Sequence, residues 1–395
     1  MRLPLLLFCV TFSLAGQTIA PEQIDTLVEA AMKAWKVPGA SVAIVQQDRI
    51  AHVKGYGIRE LGKEDKVTAD TVFAIASVSK AFTTTAMAML VDEGKMNWDD
   101  PVSKYLPWFR LSDPLASSAV TLRDIVSHRT GLTRHDALWI GSPWTREELI
   151  RRTATLKLSK PFRSAYQYQN LMFTTAGEVV AASSGKSYEE FVRTRIFEPL
   201  GMKKACFNVE EAQKSPDFAA AHDRGDPEPK LGKWRNVDNI GGAGEINASA
   251  RDMAQWLRLH LNDGMYDGKR LVSAKNLEET RMPHTPQRLD GITRAYNPET
   301  NLMTYGMGWN TYDYRGQYVV SHGGALSGFR AHLTLLPKYK VGFVILSNLG
   351  GTQMPEALRN TFIDSMLGLP ARDWNAEFQQ VAAKAEAEDK KRKQQ

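Results

Sequence analysis

Ser77 and Lys80 stand three residues apart in "FAIASVSKAF" (73–82), where an apolar, strand-like run gives way to a helical pattern. At i and i+3 on a helix the two side chains share a face, which brings the amine within reach of the hydroxyl. A helix start adds free N–H groups and a partial positive charge beside the serine, favouring an oxyanion and a lowered lysine pKa. A lysine serves as a base near neutrality only if its pKa falls by roughly 3 units, about 4 kcal/mol, and burial is the means. Ile75, Ala76, Val78, Ala81 and Phe82 supply apolar surroundings. The chemistry implied is nucleophilic attack by Ser77 with Lys80 as its base. The spacing alone is weak, since Ser183 and Lys186 in "SSGK" repeat it. There Gly185 stops a helix between the two residues, and their side chains diverge into solvent.

Two further motifs complete an acyl-transfer set. "SAYQYQNLMF" holds Tyr168-Gln169-Asn170, the only Tyr-x-Asn in the chain. A phenol beside a lysine can pass protons, and an asparagine amide offers both a donor and an acceptor. "VVSHGGALSGF" places His322, Gly323, Gly324 and Ala325 at the end of a β-run. Glycines there let a substrate approach the strand closely, and the N–H of Ala325 is expected to join that of Ser77 in an oxyanion hole. Each residue has a plainer reading alone: Ser77 as a helix cap, Tyr168 as a core aromatic, His322 as a strand histidine. Their joint arrangement outweighs those readings.

With these residues in place, the chain resembles the serine β-lactamase and penicillin-binding-protein superfamily, in the branch of class C β-lactamases and family VIII carboxylesterases. Ser77 and Lys80 match its Ser-x-x-Lys, Tyr168 and Asn170 its Tyr-x-Asn, and "HGG" at 322–324 its third motif. "DEGKMNWDDPVSKYLP", "TLRDIVSHRTGL", "RIFEPLGM" and "YGMGW" extend the likeness over most of residues 21–370. The resemblance implies an α+β, β-lactamase-like fold and an acyl-enzyme on Ser77, with Asn170, His322, Gly324 and Ala325 binding substrate and no metal or cofactor. Two departures stand out. His322 replaces the Lys of the usual Lys-Thr-Gly, so carboxylate binding is expected to weaken and to recover near pH 5.5 as the imidazole protonates. Gln169 replaces a smaller residue and is expected to narrow the cleft.

The elements that must hold these groups follow from patterning. Ile24, Leu27, Val28, Ala31, Met32 and Trp35 mark one face of a helix over 21–36. "SVAIVQ" (41–46) and "RIAHVKGYGI" (49–58) read as a hairpin, and the run after Ser77 as a buried helix closed by Gly94. Residues 95–260 are rich in helical patterns. "YGMGWNTYDY", "QYVVSH", "FRAHLTLLP" and "KVGFVILSN" return to strands, and "MPEALRNTFIDSMLG" to a helix. The topology predicted is one mostly antiparallel sheet from 21–94 and 261–370, with 95–260 as a helical insertion and the active groove between them. His128 reads as a structural residue near the cleft. The loop 221–239 reads equally as a cover over the cleft, with Trp234 as its best candidate for a substrate contact, or as a solvated loop. Residues 371–395 read as a charged, helix-prone tail, solvated or connecting.

Composition narrows the setting. The 395 residues are 43% hydrophobic and 24% charged, ordinary for a globular protein. Half of the formal charge of +6 comes from Arg2 and the tail "KAEAEDKKRKQQ", which leaves no compact basic run for nucleic acid. "MRLPLLLFCVTFSLAGQTIA" (1–20) reads as a secretory signal, too short in its apolar part for a permanent membrane span. A periplasmic or secreted protein is expected. Removing the leader leaves Cys206 as the only cysteine, a small, half-buried hydrophobe with no disulfide partner. Rival classes lack their signatures. "GALSG" sets its serine one place off a nucleophile elbow, and the eight His residues are too scattered for a metallohydrolase. A β-lactam receptor that acylates without turnover would need a membrane segment for signalling. The expected partner is a small substrate: short acyl esters first, then β-lactams, then peptides with D-residues.

Overall fold

The computed structural model describes residues 19–394. The leader expected over 1–20 lies, up to residue 18, outside the described residues. In chain order the elements that build the site are helix α1 (Pro21–Trp35), strands β1 (Gly39–Gln46) and β2 (Arg49–Gly57), and helices α2 (Ser79–Asp92), α3 (Asn170–Ser184) and α4 (Ala250–Leu261). Then come β3 (Thr285–Pro286), β4 (Met303–Tyr305), β5 (Asn310–Tyr314), β6 (Gln317–Leu326), β7 (Phe329–Leu336) and β8 (Val341–Ser347), and finally α5 (Met354–Met366) and α6 (Trp374–Gln394). The strands form one eight-stranded antiparallel sheet in the order β2-β1-β8-β7-β6-β5-β4-β3. β1 is buried along nearly its whole length because both sheet faces are covered. Its Ala43 and Val45 enter the core beneath the helical layer, while Ala40, Val42 and Ile44 face α1 and α5 on the other side.

The architecture is the α+β one predicted, with an eight-stranded antiparallel sheet and flanking helices. Three boundaries differ from the sequence reading. α2, assigned to the sheet part, lies inside the helical layer and is buried from Ser79 to Leu90. α4, assigned to the insertion, packs directly on β1 and β8. "YGMGWNTYDY" is not one strand but two, because Gly308 at φ +79° turns the chain and the Gly306 N–H donates to the Trp309 carbonyl at 2.8 Å.

The tail reading also needs correction in its first half. Trp374 and Phe378 are buried in the core shared by α1 and α5, and Trp374 Nε1 donates to Asp364 Oδ2 at 2.7 Å. The Trp35 indole reaches Asn375 Oδ1 at 3.0 Å. Two apolar residues at i and i+4 suffice to dock a helix whose remaining sequence is polar. None of the described helices is long and apolar enough to cross a membrane.

Candidate active site

A two-residue strand, Phe73–Ala74, pairs with Asn247–Ala248 and delivers the chain into a 3-10 turn at Ala76–Val78. Ala76 takes φ +48°, a costly value for a residue with a Cβ, and it lifts Ser77 onto the cleft floor. The turn is tied to the segment 242–246: Ile75 N–H donates to the Ile246 carbonyl at 3.1 Å and Ile246 N–H to Ser79 Oγ at 3.2 Å. Glu245 holds that segment from behind, accepting from Gly242 N–H at 3.1 Å and from Arg146 Nη2 at 2.6 Å. Thus the Ala243 carbonyl is fixed above Lys80.

Lys80 is fully buried. Its Nζ lies 2.7 Å from the Ala243 carbonyl, 2.8 Å from Asn170 Oδ1 and 3.1 Å from Ser77 Oγ. A neutral amine has two N–H bonds and one lone pair. The two shorter contacts take the N–H bonds, which leaves the lone pair for the Ser77 proton. Burial, and then the Arg134 charge, hold the Lys80 pKa well below the usual lysine value, with Asp136 opposing. Asn170 cannot turn its amide round, because its Nδ2 donates to Asp136 Oδ1 at 3.2 Å.

Tyr168 Oη donates to Ser77 Oγ at 2.8 Å, and Lys80 Nζ sits 4.8 Å from the Tyr168 ring centre. Burial pushes the phenol up to about 12, against the opposing Ser77 hydrogen bond, so near neutrality Tyr168 is an acid. The site therefore sets a buried amine and a protonated phenol against one serine oxygen. His128 packs edge-to-face on Tyr166 and, tilted, 4.3 Å between ring centres from Tyr168, and its Nδ1 accepts from Gln169 N–H at 3.1 Å. Burial holds it neutral, in the structural place foreseen for it.

The glycines of β6 divide the work unequally. A Cβ on Gly324 would lie 2.1 Å from the Ile75 carbonyl oxygen, whereas one on Gly323 would meet nothing nearer than 3.5 Å. Only at 324 does the bare backbone permit strand and turn to touch. β5 and β6 close on the Tyr314–Gln317 pair, so odd-numbered residues of β6 direct their N–H groups toward β5. β5 begins at Asn310, opposite Ser321, and beyond it the Ala325 N–H faces the 76–78 turn instead of a strand. With the Ser77 N–H, free of any intrahelical acceptor, it forms the two-donor arrangement an oxyanion needs.

Three expectations change. His322 is buried, not lining the cleft: its Nδ1 pairs with the Gly323 carbonyl at 2.7 Å and its Nε2 with Tyr305 Oη at 3.0 Å. Burial and the Lys80 charge lower its pKa to about 3, so it stays neutral at pH 5.5 and reads no substrate charge. Gln169 is fully buried and caps α3, accepting from Leu171 N–H at 2.9 Å, and so does not narrow the cleft. Trp234 points inward against Phe218 and Phe329. Ser183 and Lys186 do diverge, the lysine pairing with Glu190 at 2.7 Å. Cys206 is buried and free.

The cleft beside Ser77 has a volume of about 310 Å³ and is lined by Asn170, Ala243, Ala325, Trp139, Ile140 and Val237. Arg134, Asp136 and Arg235 also line it, and sequence reading had missed all three. No spacing signal marks them, because Asp136 reaches the site only through a folded loop. The carbonyl of Ala243 carries no side-chain signal at all.

Residues 24–367 match the family model described as Beta-lactamase. The chain is 30% identical over 390 residues to an unguisins hydrolase, ungD, of Aspergillus violaceofuscus, covering 91% of this chain and 68% of that protein. It superposes on the octameric penicillin-binding protein homologue from Pyrococcus abyssi with a TM-score of 0.76 at 25% identity, over 88% of this chain and 77% of that one. EstCE1, a hydrolase with promiscuous acyltransferase activity, shares the fold with a TM-score of 0.73 at 18% identity, over 88% and 98% of the two chains. Matched over most of its length, the chain belongs to the beta-lactamase family and is a serine hydrolase.

Proposed function

We propose that this protein cleaves an ester or amide through an acyl-enzyme on Ser77, with short acyl esters as its preferred class, and that it works outside the cytoplasm. The observation that carries this reading is the pair of contacts on Ser77 Oγ, from Lys80 Nζ at 3.1 Å and Tyr168 Oη at 2.8 Å. Lys80 takes the Ser77 proton as Oγ attacks the carbonyl carbon, and the carbonyl oxygen becomes an oxyanion between the N–H groups of Ser77 and Ala325. As the oxyanion collapses, the bond to the leaving group breaks and Tyr168 protonates that group. The phenolate regains its proton from the Lys80 ammonium. In deacylation a water takes the leaving group's place, gives its proton to the same pair, and frees the acid with Ser77 restored.

Esters rank above β-lactams because His322, in the third motif, is neutral and turned away from the cleft. The purified mature protein should be offered p-nitrophenyl esters, nitrocefin and D-aminoacyl amides. Turnover is expected first on the esters. A fluorophosphonate should label Ser77, Ser77→Ala should abolish the label, and Ser183→Ala should leave it. Labelling that survived Ser77→Ala would overturn the mechanism, and a stable adduct without turnover would point to a receptor. Export is checked by N-terminal sequencing of the protein recovered outside the cytoplasm, which should begin near residue 16 or 21, after Ala15 or Ala20.

A further inference from the structure

The third motif offers the cleft no cation, yet the cleft carries one from elsewhere. Of the three charged residues lining it, two neutralise each other: Arg134 Nε donates to Asp136 Oδ2 at 2.6 Å, and the Arg134 guanidinium lies over the Tyr168 ring at 4.7 Å. Asp136 is engaged further by Trp139 Nε1 at 3.0 Å and Asn170 Nδ2 at 3.2 Å. Arg235 is different. It is exposed and has no hydrogen bond or ion pair among the described residues. Nor is it on a loose loop, because buried Trp234 and Val237 flank it. Just beyond, Arg146 Nε clamps the Asp238 carbonyl at 2.7 Å. A rigid segment thus presents one uncompensated guanidinium to the cleft.

The cleft also has a direction. Ser77 and Ala325 line it, but Tyr168, the proton donor to the leaving group, does not. The leaving group must depart beside its proton donor, which leaves the part of the cavity lined by Trp139, Val237 and Ile240 to the acyl half of the substrate. Its walls pair apolar Trp139, Val237 and Ile240 with the Arg235 cation at the edge.

We infer that Arg235 is a specificity residue that binds a carboxylate at the far end of an otherwise apolar acyl group. This rests on the acyl-enzyme reading above. A guanidinium presents a planar fork that a carboxylate matches with two hydrogen bonds, which neutral acyl chains cannot use.

The test compares 4-nitrophenyl monoesters of adipic and suberic acid with 4-nitrophenyl alkanoates of matching chain length, corrected for spontaneous hydrolysis. The readout is the ratio of kcat/KM, carboxylate over neutral. In the wild type this ratio is expected at about fivefold, declining toward one with added salt as the exposed pair is screened. Arg235→Gln should bring the ratio to about one, and Arg235→Glu should invert it. Arg235→Lys should keep part of it. Arg288→Gln removes an exposed cation from a different cavity and should leave the ratio as it is. A wild-type ratio near one, or a ratio that ignores Arg235→Glu, would overturn this inference while leaving the acyl-enzyme intact. No turnover of any ester, with Ser77 unlabelled by fluorophosphonate, would overturn both.

Discussion

In the proposed mechanism Lys80 acts as a base only while neutral; burial and the Arg134 charge favour that state, and Asp136 opposes it. Its amine is buried, its N–H bonds are taken by Ala243 and Asn170, and the Arg134 charge stands nearby. The acid limb of the kcat/KM profile therefore reports protonation of Lys80, and its position follows the charges around it. Arg134→Gln removes a cation that depresses the lysine pKa, so that pKa rises and the limb moves to higher pH. His322→Gln removes a group already neutral across the range, so the limb stays where it is even if the rate falls. Measuring kcat/KM from pH 5 to 9 separates the two, and a limb that moved with His322 alone would reassign the base. Tyr168→Phe keeps the ring against His128 and Lys80 and deletes only the hydroxyl on Ser77. A fall in kcat of about 10²–10⁴ is expected, the range for a lost proton-transfer group, with the melting temperature little changed.

The 76–78 turn and β6 are separate elements, and the proposed oxyanion hole requires them in contact. Gly324 makes that possible, since a Cβ there would sit 2.1 Å from the Ile75 oxygen. Gly324→Ala must push β6 away from the turn and with it the Ala325 N–H. Loss of one oxyanion donor costs about 10²–10³ in kcat. Gly323→Ala, with its nearest neighbour at 3.5 Å, should retain most activity. Comparing kcat and melting temperature for the two variants checks the assignment; equal losses would show that the strand matters only for stability. Strand geometry also accounts for His322, since the site side of β6 near it is closed by Tyr305.

At the scale of the whole molecule the sheet separates chemistry from scaffolding. Ser77, Lys80 and Tyr168 lie on the helical side, while α1, α5 and the start of α6 cover the opposite face. Trp374 is 1% exposed there and satisfies Asp364, which also accepts from Tyr314 Oη at 2.8 Å. Trp374→Ala should lower unfolding stability by about 3–5 kcal/mol, as for large aromatic deletions in a core. Denaturant titration measures the loss, and kcat/KM below the transition should remain within about twofold. A large kinetic effect would mean that this face communicates with the site.

The residues that the proposed mechanism uses were legible in the sequence because each belongs to a local pattern: Ser77 and Lys80 one helical turn apart, Tyr168 two residues before Asn170, and Gly324 inside a β-run. Local spacing dictates which side chains share a face, so it carries the motif and the class of fold. It says nothing about which way a side chain turns once layers pack. His322 and Trp234 point inward, and Gln169 caps a helix, because burial of aromatic and amide groups with partners was available there. Arg134, Asp136 and the Ala243 carbonyl reach Lys80 through segments 54, 56 and 163 positions along the chain, and α6 docks through two residues in a polar run. Such long-range juxtapositions are fixed only when the core closes, and it is they that set the charge of the cleft and the protonation of its base.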